Sequence, residues 1–134
     1  MGLTVNRLNI IELAGAAERT STLTATGVDM RQYAGLAKII LLSSVATAGT
    51  TPTLDVKIEE SDALASGYTD LAGATFAQVT DAADSTEAIQ IDLSGTKRYI
   101  RVIGTIAGTS TPTFQFGVCA MAVRHGGTNS SQAV

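Results

Sequence analysis

Tryptophan is absent from this sequence, and aromatic residues make up only 4% of its 134 positions. A core must therefore be assembled from Val, Ile, Leu and Ala. The exposed aromatic platforms that sugar-binding clefts commonly use are in short supply. A single cysteine, Cys119, cannot form an internal disulfide, so folding does not depend on an oxidising compartment. Charge is also scarce, at 16%, and the nine Lys and Arg are spread thinly from Arg7 to Arg124 under a net charge of −3. Phosphate binding needs clustered cations, so this distribution argues against a nucleic-acid partner. The longest apolar run, Leu36 to Leu42, is interrupted by Lys38 and falls far short of the roughly 20 residues that span a bilayer, so no membrane partner is expected. No basic segment followed by an apolar stretch opens the sequence. A secretory signal is accordingly not expected, and the chain reads as soluble and made in a cytoplasm.

Reactive groups are few as well. His125 is the only histidine and lies between Arg124 and Gly126-Gly127, where a flexible, solvated tail is expected to begin. Catalytic histidines need a rigid, oriented seat. Cys119 falls in an alternating stretch where a small buried hydrophobe fits, with no base nearby in sequence to activate a thiolate. Asp81, Asp84 and Glu87 are spaced by three with no glycine among them, unlike a calcium loop, and read as a polar connection. Whether that connection binds a metal is left open. Gly95-Thr96-Lys97 lacks the upstream glycine of a phosphate loop. The expectation is a protein with no catalytic residues, no cofactor and no assigned metal site.

What is abundant is β-pattern. Leu54, Val56 and Ile58 alternate with Asp55, Lys57 and Glu59. Ile89, Ile91 and Leu93 alternate with Ala88, Gln90 and Asp92, and Phe114, Phe116 and Val118 with Gln115 and Gly117. Period two places one set on a core face and the other on the opposite face; a helix would scatter them. Eight strand-like stretches follow, near Leu3–Leu13, Thr20–Thr26, Leu36–Ala46, Thr53–Ser61, Tyr68–Val79 (with a break at Ala72-Gly73), Glu87–Leu93, Arg98–Ile106 and Thr113–Val123. Helix is scarce: Ile11–Arg19 is a candidate for a turn of helix, weakened by Gly15, and Asp29–Tyr33 is a similar short candidate. Ala48-Gly49-Thr50-Thr51-Pro52-Thr53-Leu54 recurs as Ala107-Gly108-Thr109-Ser110-Thr111-Pro112-Thr113-Phe114, which reads as two similar hairpins with glycine in the turn. The fold class expected is all-β: a two-sheet β-sandwich of jelly-roll (Greek-key) type in one domain over 1–134. A flexible arm at about 1–7 and a tail at about 126–134 flank it.

Three segments carry a family resemblance. Leu54-Asp55-Val56-Lys57-Ile58-Glu59-Glu60-Ser61 leads through Tyr68-Thr69-Asp70-Leu71-Ala72-Gly73-Ala74-Thr75-Phe76 to Ile91-Asp92-Leu93-Ser94-Gly95-Thr96-Lys97-Arg98-Tyr99-Ile100-Arg101. This succession resembles the cement, or decoration, proteins of tailed-bacteriophage heads, with the likeness running from about Lys38 to Val123. The resemblance implies a jelly-roll protein, made in the host cytoplasm, that sits on the capsid exterior of the virion and joins neighbouring major capsid subunits. It implies no enzymatic residues. The low-charge strand edges point to self-association, a homodimer ahead of a trimer. Contact residues are expected among Asp55, Lys57, Glu59, Arg98, Arg101 and Arg7. The alternative is a carbohydrate- or receptor-binding sandwich of a phage tail or surface adhesin, for which only Tyr33, Tyr68 and Tyr99 are available as sugar platforms.

Overall fold

The alternation written into the sequence becomes strand throughout the computed structural model, which describes residues 8–124. Eight strands follow in order: β1 (Leu8–Arg19), β2 (Leu23–Thr24), β3 (Val28–Asp29), β4 (Tyr33–Ser43), β5 (Ala48–Ser61), β6 (Thr69–Thr75), β7 (Ser85–Asp92) and β8 (Tyr99–Arg124), with one 3₁₀ turn at Leu93–Gly95. All pairings are antiparallel. The long strand β8 serves two sheets in turn. Its second half pairs with β1 and β4, and β4 pairs with β7, giving sheet I in the order β1, β8, β4, β7. Its first half pairs with β2, β3 and β5, and β5 pairs with β6, giving sheet II in the order β2/β3, β8, β5, β6. This is a β-sandwich of jelly-roll type, as the sequence pattern predicts.

The core lies between the sheets. Sheet I contributes Ala37, Ile39 and Leu41 from β4 and Phe114, Phe116, Val118, Ala120 and Ala122 from β8. Sheet II contributes Leu54, Val56 and Ile58 from β5 with Ile100 and Val102 from β8, and all are buried. With no tryptophan, the two Phe are the largest fully buried side chains. Phe116 bridges the layers: a Cβ added at Gly104, on sheet II, would lie 2.8 Å from the Phe116 Cζ. The missing side chain is what lets the ring seat. Each buried large apolar side chain contributes about 1.5–3 kcal/mol.

Several local expectations are corrected. Ile11–Arg19 is not a helical turn but most of β1, held in strand by its ladder to β8 with bulges near Glu12–Ala14 and Ala14–Ala17. An alanine-rich segment follows its partner strand here rather than its own propensity. Asp29–Tyr33 is likewise a strand end, a turn and the start of β4. Arg98–Ile106 and Thr113–Val123 are the two halves of one continuous β8. Gly73 does not break β6, but carries a positive φ of 76° beside the register shift between Lys57 and Glu59.

The repeated segments are not hairpins. Each carries the chain from one sheet to the other, and the two crossings lie antiparallel against each other, with Ala48 opposite Thr113, Thr50 opposite Thr109 and Thr53 opposite Ala107. The non-glycine residues with positive φ among those described, Thr51, Ser110 and Thr111, all lie in these two segments. β-Branched and other Cβ-bearing residues avoid this region, so the corner concentrates backbone strain that the surrounding ladders hold in place. Part of the polar demand is met locally: the Thr51 hydroxyl donates to the Thr50 carbonyl at 2.7 Å and that of Thr113 to the Thr111 carbonyl at 3.0 Å.

Candidate functional site

Two outward faces are available, and they differ in kind. The outer face of sheet II carries the charged positions of β5 and β8. Lys57 donates to Asp70 at 2.7 Å, and Glu59 accepts from Arg101 at 2.7 Å. The Arg101 guanidinium lies 4.0 Å from the centre of the Tyr68 ring, and the Tyr68 hydroxyl donates to the Leu64 carbonyl at 2.8 Å. The hydrogen bond to Asp70 pushes the Lys57 ammonium up from its ordinary value, and burial pushes the Tyr68 hydroxyl up. Lys57, Glu59 and Arg101 are thus brought together, but chiefly toward one another.

The other sequence-derived candidates stand apart from that cluster. Asp55 accepts from the Gln78 amide at 3.1 Å. Arg98 reaches across to β3, donating to Asp29 at 2.9 Å, and stacks on the neighbouring Tyr99 ring at 4.9 Å. That guanidinium, with the Arg31 amide, holds the Asp29 carboxyl below its ordinary range. Arg7, His125 and the terminal segments expected at 1–7 and 126–134 lie outside the described residues. In the acidic connection, Asp84 accepts from the Val45 amide at 2.8 Å and Glu87 from the Ala77 amide at 2.9 Å, so two of its three acids brace backbone. Among the described residues no group of three or more His, Cys, Asp or Glu is arranged to hold a metal ion, and no helix is long and apolar enough to cross a membrane.

The outer face of sheet I carries an apolar strip along β1, β8 and β4, while β7 adds the polar Thr86, Gln90 and Asp92 at one edge. Ile10 is 74% exposed, Leu36 58% and Leu42 56%. Ile10, Met121 and Lys38 stand side by side across β1, β8 and β4, and Glu12, Cys119 and Ile40 form the next row. Gly117 follows on β8, opposite Leu42, and packs backbone to backbone with Ala16 of β1, where an added Cβ would lie 3.0 Å from the Ala16 Cα. Large side chains flanking a floor of small ones make an open groove of about 610 Å³ along this face. An antiparallel sheet normally presents polar residues on its solvent side. This strip does not.

This face was missed in the sequence-derived choice of contact residues, although a signal for it exists. Ile39-Ile40-Leu41-Leu42 is apolar at consecutive positions. In a strand such a run places apolar side chains on both faces. Ile39 and Leu41 enter the core, leaving Ile40 and Leu42 facing out.

Order of strands and chemistry of the faces together define a jelly-roll β-sandwich with an exposed apolar strip on one outer face. No protein-family model matches the sequence, and no curated protein matches it. The fold has solved counterparts. The SPBc2 prophage-derived protein YomS superimposes with a TM-score of 0.51 over 87% of this chain and 92% of its own, at 12% sequence identity. A chain of T=1 particles derived from infectious bursal virus gives a TM-score of 0.53 over 90% of this chain at 13% identity, with this chain spanning only 32% of the viral one. A xylan-binding domain from Paenibacillus barcinonensis Xyn10C matches at a TM-score of 0.46, too loose to argue from. At these identities the shared property is the fold, one found in phage-derived and viral particle proteins.

Proposed function

We propose that this chain is a non-enzymatic virion structural protein: a cement protein that binds the outside of a mature phage head and joins adjacent major capsid subunits. The observation that carries the reading is the largely apolar strip on the outer face of sheet I, which marks a chain that works within an assembly, on a molecule whose charged face is largely occupied in pairing with itself. Such a surface works by adhering. The resemblance of residues 38–123 to phage-head cement proteins supports the virion assignment, and the fold shared with a prophage-derived protein agrees with it.

Mass action sets the scale of the stabilisation such a protein supplies. A protein that binds only the expanded shell stabilises it by about 2.7 kcal/mol per site when free protein stands at 100 times its Kd. Repeated over a lattice, contacts of this size oppose rupture by packaged DNA. The carbohydrate-binding alternative is weakened by the tyrosines: Tyr68 and Tyr99 each stack one ring face on an arginine, Arg101 and Arg98, and Tyr33 packs against the core.

Co-sedimentation with expanded and immature heads tests the proposal. Saturable binding to expanded heads, with a higher temperature of head rupture, is the expected result. Absence of binding to expanded heads, or equal binding to both forms, overturns it.

A further inference from the structure

The chemistry of the sheet I face identifies what covers it. Two charged side chains stand within its apolar rows, Glu12 on β1 and Lys38 on β4, and neither has an ion-pair partner among the described residues. They flank the central strand β8 on opposite sides, Glu12 beside Cys119 and Lys38 beside Met121, two residues apart along it. On the other outer face, by contrast, Lys57 and Arg101 are both paired. A cation and an anion left unpaired on opposite flanks of one apolar face match a partner with the same arrangement, turned over.

We infer that the outer face of sheet I is the interface of a two-fold homodimer, in which Glu12 of each chain meets Lys38 of the other across β8. An axis along β8 exchanges its flanks. Stacked sheets lie about 10 Å apart, a gap that extended Glu and Lys side chains bridge from opposite sides. The same operation sets Leu42, which protrudes at 56% exposure, over the small residues Ala16 and Gly117 of the other chain. Knob and hollow lie on opposite flanks, as an isologous contact requires. The pairing rests on reading this face as adhesive and assigns it to a second copy, so the capsid contact falls to the surfaces left outside the dimer, each of which a two-fold dimer presents twice. The dimer can therefore hold two neighbouring capsid subunits at once and gain avidity.

Light scattering of the isolated full chain, without capsids, tests the inference, with a mass of twice 13.8 kDa expected. Lys38→Glu and Glu12→Lys each set like charges opposite one another and should weaken the dimer at least about ten-fold. Mixing these two variants, each checked for native circular dichroism, should restore a dimer, since each supplies the charge the other has lost. Leu42→Asp should leave a folded monomer. A wild-type monomer or trimer, or single variants that do not rescue one another, overturns the inference. A dimer that fails to bind expanded heads upholds it and counts against the cement reading instead.

Discussion

Pro112 lies so close against Gly49 that a methyl group on the glycine would sit 2.6 Å from the proline Cα. The contact is reciprocal across the corner of the sandwich, for a methyl on Gly108 would sit 3.1 Å from the Pro52 Cα. Each copy of the repeated segment therefore uses its glycine to admit the proline of the other. Gly49 also has a φ of +107°, so both space and backbone conformation demand glycine there.

Substituting Gly49→Ala should destabilise the protein by about 2–3 kcal/mol, combining strain with overpacking. Gly35 offers the comparison: its φ is +79°, but nothing lies within 4 Å of an added Cβ. Gly35→Ala should thus cost only the conformational part, about 1–2 kcal/mol. Urea titrations with unchanged m-values measure both, and equal losses at the two sites would show that close packing at the corner has no energetic weight.

The seat of Phe116 against Gly104 is a second close approach, this time between the sheets. Gly104→Ala should cost about 1–3 kcal/mol, because the added methyl meets the ring. In a Phe116→Leu background the ring edge is gone, and the same alanine should cost less than half as much. A double-mutant cycle reads the coupling directly. Additive losses would mean the two residues do not contend for the same space.

Glu59 and Arg101 form a partly covered pair, with side-chain exposures of 14% and 25%. Coupling of about 1 kcal/mol is expected from Glu59→Gln combined with Arg101→Met, above most exposed pairs because Tyr68 shields one side. Raising the salt concentration should reduce it only modestly, since partly buried pairs are weakly screened. Coupling that vanishes at high salt would place the pair in open solvent.

Asp29 gives stability a pH dependence of definite sign. Its carboxyl is held below the ordinary value first by the Arg98 side chain and then by the Arg31 amide. A depressed folded-state pKa means the native state binds the proton less readily than the unfolded chain. The contribution is therefore full above the unfolded value of about 3.9 and is lost as pH falls through the folded one. Acid titration of stability should show a shallower loss below about pH 4 for Asp29→Asn than for the native sequence. Identical slopes would remove the Arg98–Asp29 pair from the account.

Period-two alternation determined the fold class without help from any other information. Residues 54–59 and 114–123 carry their core and outer faces in strict order, because side-chain direction in a strand is a local property of the backbone. Tertiary structure decided everything that depends on which segment lies beside which. The Ala-rich segment 11–19 became strand because β8 offered it a ladder, and the repeated glycine–proline segments became sheet crossings because each packs on the other. Pairing of Lys57 with Asp70 and of Arg98 with Asp29 joins residues remote in sequence, so charges that alternation alone presents as outward and free are in fact engaged. The exposed apolar face was present in the run Ile39–Leu42, yet alternation shows only that both sides of that strand are apolar. Which side the second sheet covers, and which is left exposed, is settled by packing.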